Sequence, residues 1–163
     1  MAAPTEKTNA MRWLDQRKVP YETYTYDDAE HHSAVEVAAM VGVPPERVFK
    51  TLVMLRGRGR PLLVMMPAPA EVDPRRLAES LGEKSVEMAP QREAERLTGL
   101  KVGGIGALAL LGRPFDVCLE RAALGHERIL VNPGRRGINI AIGVPALIEL
   151  TGARIVDAAE ARP

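Results

Sequence analysis

A mixed α/β domain, with one curled and mostly antiparallel sheet and helices packed outside it, is the architecture to expect from this chain. Three observations point there. Helix-like and strand-like segments are intermixed from end to end. Two pairs of strand-like segments are joined by short turns rich in glycine and arginine, which makes the paired strands antiparallel neighbours. The 163 residues contain no internal repeat, low-complexity tract or inter-domain linker, so they suit a single domain spanning 1–163 with one sizeable core.

The elements follow in order. Residues 8–18 place Met11, Leu14 and Trp13 on an apolar side and Arg12, Asp15, Arg17 and Lys18 on a wet one, and Pro20 stops the helix. "YETYTY" alternates and is rich in β-branched and aromatic residues, which predicts a strand. "SAVEVAAMVG" opens with Ser33 and Glu36 at capping-box spacing, carries Val37, Met40 and Val41 as a stripe and closes on Gly42. Strands over 50–55 and 62–66 then flank "RGRGR" as a hairpin. "VDPRRLAESLG" supplies an Asp73 cap, Pro74 in the first turn and Gly82 at the end, the signature of a helix. A short strand "SVEM", a helix "PQREAERL", a glycine-rich segment "GLKVGGIGAL" and a strand "FDVCL" come next. "RILVN" and "GINIAI" flank "PGRRG" as a second hairpin, followed by a helix "VPALIELTG" and a last strand "ARIVD".

Composition excludes several classes. Apolar residues make up 46% and charged ones 26%, the balance of a globular protein, and the low aromatic share of 4% leaves the core to aliphatic residues and seven methionines. A net charge of +1 lacks the broad basic field of a non-specific nucleic-acid binder, so no DNA partner is expected, although local arginine clusters remain available. The single Cys118 forms no internal disulfide, and "MAAPTEKTNA" lacks the apolar centre of a signal peptide; both fit a reducing cytoplasm. No apolar run approaches the ~20 residues that span a bilayer, so no membrane partner is expected.

The common sharp motifs are missing. "GGIGAL" matches neither the dinucleotide fingerprint nor the phosphate loop. His31 and His32 are adjacent and His126 is remote, which is no zinc spacing, so neither a metal nor another cofactor is expected and the histidines read as loop or surface residues. Cys118 sits in a strand as a small filler.

What remains is Lys50, a charge inside the otherwise apolar "VFKTLVML", and the glycine segment that follows it along the chain. Together with "TYTYDDAE", "GVPPERVFKTLVM", "LGEKSVEMA", "LTGLKVGGIGAL" and "VNPGRRGINIAI", they carry a resemblance that runs over residues 9–157. The chain resembles the YbaK and prolyl-tRNA synthetase-associated editing domains, which hydrolyse mischarged aminoacyl-tRNA. That resemblance implies the YbaK-like fold, a catalytic site at Lys50, and an aminoacyl pocket to which Gly103, Gly104, Ile105, Gly106 and Ala107 contribute. Two departures stand out. Ala107 occupies a position where the family usually has proline, and Asn139 replaces the acidic residue of the segment here written "RRGINIAI", keeping a hydrogen-bonding side chain but losing its charge.

Hydrolysis of the ester between an amino acid and the terminal ribose of tRNA builds negative charge on the carbonyl oxygen. Backbone N–H groups around Gly103 to Ala107, with Gly103 and Gly104 as the catalytic candidates, can supply oxyanion-type hydrogen bonds, because glycine has no Cβ to hold the acyl group away. The Lys50 ammonium has two tasks open to it, orienting the terminal adenosine phosphate or acting at the ester, and a third description in which its stem merely covers the core. Water, a substrate hydroxyl and a substrate thiol are all available attacking groups. Thr51, adjacent to Lys50, and Tyr26, opposite it, join the substrate-binding candidates with Asn139. Arg56, Arg58 and Arg60 on one hairpin, and Arg135 and Arg136 on the other, are candidate phosphate contacts for an acceptor stem.

The expected activity is therefore deacylation of mischarged tRNA by a freestanding editing hydrolase. Cysteinyl-tRNA(Pro) leads as substrate, ahead of alanyl-tRNA(Pro) and other small aminoacyl groups. The expected partners are tRNA(Pro) and prolyl-tRNA synthetase. The competing expectation is a non-catalytic member that binds aminoacyl-tRNA or a synthetase.

Overall fold

The computed structural model describes residues 6–161. The ends of the expected domain, 1–5 and 162–163, lie outside the described residues, as does the first half of the segment judged to lack a signal peptide.

The helices are α1 (Asn9–Gln16), α2 (Ala34–Val41), α3 (Pro74–Leu81), α4 (Gln91–Thr98) and α5 (Val144–Thr151). Their boundaries follow from local chemistry. The Thr8 side chain accepts from the Met11 N–H at the start of α1, Ser33 and Glu36 form the reciprocal capping box of α2, and Asp73 accepts from Arg75 and Arg76 at the start of α3. The strands are β1 (Tyr21–Thr25), β2 (Phe49–Arg56), β3 (Leu62–Pro67), β4 (Val86–Met88), β5 (Asp116–Glu120), β6 (Arg128–Val131), β7 (Ile138–Gly143) and β8 (Arg154–Val156). The glycine-rich segment is a loop that runs into a 3-10 turn at Ala107–Leu110.

Both expected hairpins form as antiparallel pairs, β2 with β3 and β6 with β7. The expected mixed sheet is divided in two. One piece has the order β1-β7-β6 and is wholly antiparallel; the other, β4-β2-β3-β5-β8, mixes antiparallel pairs on one side of β3 with parallel ones on the other. A lone bridge between Val48 and Leu130 links the pieces just before β2 begins.

Strand β3 explains the thickness of the molecule. All six of its residues are buried, because Leu63 and Met65 point into one core while Leu62, Val64 and Met66 point into another. The first core joins the larger sheet to Ile138, Ile140 and Ile142 of β7, and the second packs under Leu77 and Ala78 of α3. Lys50 occupies the same face of β2 as Leu52 and Met54.

Candidate active site

Strand β2 is paired along most of its length on one side only. Its β3 partner runs from Phe49 to Met54, whereas β4 pairs with it only at 54–56. The Val48 carbonyl accepts from Ala68 on the β3 side, and the Val53 carbonyl accepts from Ala89 on the other. Because backbone groups alternate sides along a strand, Thr51 directs its N–H and C=O to the same open edge as Val53. A cavity of about 560 Å³ lies against this edge, lined by residues 48–53 and closed by the loops before α2, after β3 and before the 3-10 turn at Ala107.

Lys50 is half-buried in that wall, and its Nζ donates to the Ala68 carbonyl at 3.1 Å. The contact fixes the ammonium at the turn following β3 rather than in open solvent. The cavity also gathers Tyr26, Thr51, Gly103, Ile105 and Asn139 from four separate parts of the chain. Asn139 is only 5% exposed, and its exposed part opens on the cavity. Burial raises the Tyr26 phenol above its ordinary range, helped by the nearby Asp28 carboxylate, so at neutral pH it is an O–H donor.

Gly104, Gly106 and Ala107 lie behind the cavity wall, outside its lining. The room that Gly104 leaves is taken by protein: an added Cβ would lie 3.0 Å from the Arg136 backbone nitrogen and 3.2 Å from the Arg135 backbone. Its own N–H is engaged by the Lys101 carbonyl at 2.7 Å. Gly106 is tighter still against Asn132, and Ala107 is 4% exposed in the core. Of the three loop glycines, only Gly103 faces the cavity, at a φ of 93° that favours glycine.

Asn132 was not singled out from the sequence, yet it builds this wall. Its Nδ2 donates to the carbonyls of Gly103 and Arg135, both at 2.9 Å, while its Oδ1 accepts from the N–H groups of Gly134 at 2.6 Å and Arg135 at 2.8 Å. Arg136 adds a bond from Nε to the Val102 carbonyl at 2.7 Å. The "NPG" of residues 132–134 was the available signal, since asparagine before such a turn caps its own backbone. His31, His32 and Glu71 also line the cavity. The histidines do lie in a loop as expected, but the fold carries that loop to the cavity mouth.

The two arginine groups are differently placed. Arg56 is tied to Glu83 at 2.9 Å and to Asp116, and its Nε donates to the Arg60 carbonyl, so the end of β2 is a structural ion-pair node. It lies roughly 20 Å along the strand from Lys50, six residues at strand rise. Arg58 and Arg60 are exposed beyond it. Arg135 is exposed on the loop that Asn132 holds, and Arg136 lines a small recess with Tyr26, His31 and Gly103. Among the described residues, no group of three or more His, Cys, Asp or Glu side chains is arranged to hold a metal, and no helix is long and apolar enough to cross a membrane.

Comparison with known proteins gives this geometry a context. Residues 28–150 match the model of the aminoacyl-tRNA editing domain. An Enterococcus faecalis protein described as a candidate Cys-tRNA(Pro)/Cys-tRNA(Cys) deacylase, EbsC, is 35% identical over 153 residues, which is 93% of each chain. A proline–tRNA ligase of Geobacter metallireducens is 28% identical over 153 residues; these cover 90% of this chain but 26% of that enzyme. Among solved structures, hypothetical protein APE2540 superposes with a TM-score of 0.82 at 25% identity, covering 92% of this chain and 98% of that one. A candidate trans-editing enzyme for prolyl-tRNA synthetase shares the fold with a TM-score of 0.77 at 21% identity, covering 96% and 100%.

Proposed function

The chain belongs to the aminoacyl-tRNA editing domain family, and from that premise we propose that it is a trans-editing hydrolase that deacylates mischarged aminoacyl-tRNA, with Cys-tRNA(Pro) as its leading substrate. The observation that carries this reading is the convergence of a half-buried lysine, an open strand edge and Gly103 on one cavity. Support for the cysteinyl substrate comes from the name of the Enterococcus relative, which matches this chain over nearly its whole length. Alanyl-tRNA(Pro) and other small aminoacyl-tRNAs stand behind it. A cytoplasmic site of action, tRNA(Pro) as partner and contact with prolyl-tRNA synthetase go with the same proposal, as does a single domain over 1–163.

The chemistry needs little from the side chains. An attacking oxygen or sulfur, from water or from the substrate, adds to the ester carbonyl carbon, and the C–O bond to the ribose then breaks with a proton returning to the ribose oxygen. Negative charge gathers on the carbonyl oxygen in between. In this scheme the N–H of Thr51 and the backbone at Gly103 and Ile105 supply the oxyanion contacts, a role that Gly104 cannot take while its N–H is held by Lys101. Lys50 supplies fixed positive charge beside them. Buried Cys118 takes no part: it lies in the second core, and burial pushes its thiol up to about 11.

The test is deacylation of a panel of mischarged tRNAs, with Cys-tRNA(Pro), Ala-tRNA(Pro), Ser-tRNA(Pro) and Cys-tRNA(Cys) compared at one enzyme concentration. Fastest release of cysteine from tRNA(Pro) is the expected result. Fastest release from another member of the panel reassigns the substrate. Binding without release anywhere in the panel identifies a non-catalytic protein.

A further inference from the structure

We infer that Glu71 recognises the α-ammonium group of the aminoacyl substrate, an assignment that rests on the aminoacyl-ester reading above. The argument begins with charge. Among the described residues that line the cavity, Glu71 is the sole carboxylate and Lys50 the sole lysine or arginine. Asn139, buried in the same wall, is neutral. An aminoacyl ester brings one group of each sign to the reaction: an α-ammonium, protonated near pH 7, and the carbonyl oxygen on which negative charge gathers during attack. A lining with one fixed charge of each sign can match both, and Glu71 is the carboxylate within it that can pair with the cation.

The placement of Glu71 suits that task. It is exposed at the cavity edge, and none of the ion pairs among the described residues engages it. Its backbone is nevertheless held. The Glu71 carbonyl accepts from Glu160 at 2.8 Å, Val72 bridges to Ala159, and the Asp73 N–H donates to Ala158 at 2.7 Å. The turn before it is closed by the Ala70 N–H donating to the Pro67 carbonyl, and the same turn presents the Ala68 carbonyl to Lys50. The turn after β3 therefore anchors the Lys50 ammonium through Ala68 and carries Glu71 at the cavity edge, and no ion pair among the described residues joins the two.

The test uses a binding probe that cannot be cleaved: an amide-linked cysteinyl-adenosine, with N–H in place of the ester oxygen, and its N-acetyl form, which lacks the ammonium. Wild type binds the free amine about threefold to fivefold more tightly, as an ion pair at a solvent-exposed edge allows. Glu71→Gln should erase that preference while leaving affinity for the N-acetyl form unchanged. A preference that survives in Glu71→Gln overturns the assignment, and so does failure of wild type to distinguish the two forms or to bind either. Turnover of Cys-tRNA(Pro) is measured on the same preparations. Amine-dependent binding lost in Glu71→Gln, with no turnover by wild type, overturns the hydrolase reading and upholds Glu71.

Discussion

Gly106 and Asn132 approach so closely that a Cβ built on the glycine would lie 1.9 Å from the asparagine's carbonyl oxygen. Backbone meets backbone here, so no side-chain rotation relieves the contact. Gly106→Ala is expected to destabilise the fold by about 3 kcal/mol, the upper range for overpacking. Gly57→Ala is the control, since nothing lies within 4 Å of its added Cβ, and it should change stability by less than about 0.5 kcal/mol. Urea unfolding of the two variants beside wild type checks the contrast.

Lys50→Ala should fold and lose turnover. Among the described residues the Lys50 ammonium makes one hydrogen bond to protein, to Ala68, which is worth about 1 kcal/mol to stability. Its loss from the charged wall of the cavity should cost about 100-fold or more in deacylation rate, the scale for removing one transition-state electrostatic contact. Thermal melting and single-turnover hydrolysis, measured together, separate the two effects. Near wild-type turnover in a folded variant removes Lys50 from the chemistry.

Arg135 and Arg58 should differ in tRNA binding. Arg135 stands on the loop that forms the cavity wall, while Arg58 projects from the far end of β2. Arg135→Ala should weaken tRNA binding and reduce the slope of log affinity against log salt by about 1, the signature of one lost phosphate contact. Arg58→Ala should have the smaller effect on both. A larger change at Arg58 would move the acceptor stem to the other end of the sheet.

Cys118 should resist alkylation in the folded protein. It is 1% exposed, and burial raises its thiol to about 11, leaving roughly a thousandth of it as thiolate at pH 8. The sign for stability follows. From its ordinary value of 9.0 up to about 11 the unfolded chain releases a proton that the folded one keeps, so stability falls as pH rises through that window. Labelling rates measured against pH and urea should track unfolding. Rapid labelling without denaturant would contradict the burial.

The cooperating elements were legible to the degree that their signals are local. Capping at Ser33 and Asp73, the two hairpins and the charge at Lys50 can each be read within a few residues, because periodicity and turn chemistry act over that range. Asn132 was overlooked for the opposite reason. Its Nδ2 bond to Gly103 spans 29 positions, and nothing near residue 132 announces the partner. The His31 to His32 pair reads locally as loop histidines, and Glu71 has no local signal at all, because the cavity that all three line is assembled from separate segments.

The chain's order of apolar and polar residues was enough to establish a mixed α/β fold, its hairpins, its family resemblance and Lys50 as the residue to explain. It also marked the glycine segment as special. Which atoms those glycines make room for depended on packing between segments distant in sequence. Gly104 and Gly106 admit the backbone of the 132–137 loop, and Gly103, although it lines the cavity, has the Arg136 Nε 3.0 Å from where its Cβ would lie. The physical reason is that a missing Cβ records only that something comes close. Whether the neighbour is substrate or protein depends on how the two sheets meet at Val48 and Leu130 and bring the loops together, and that relation is written in no single stretch of the sequence.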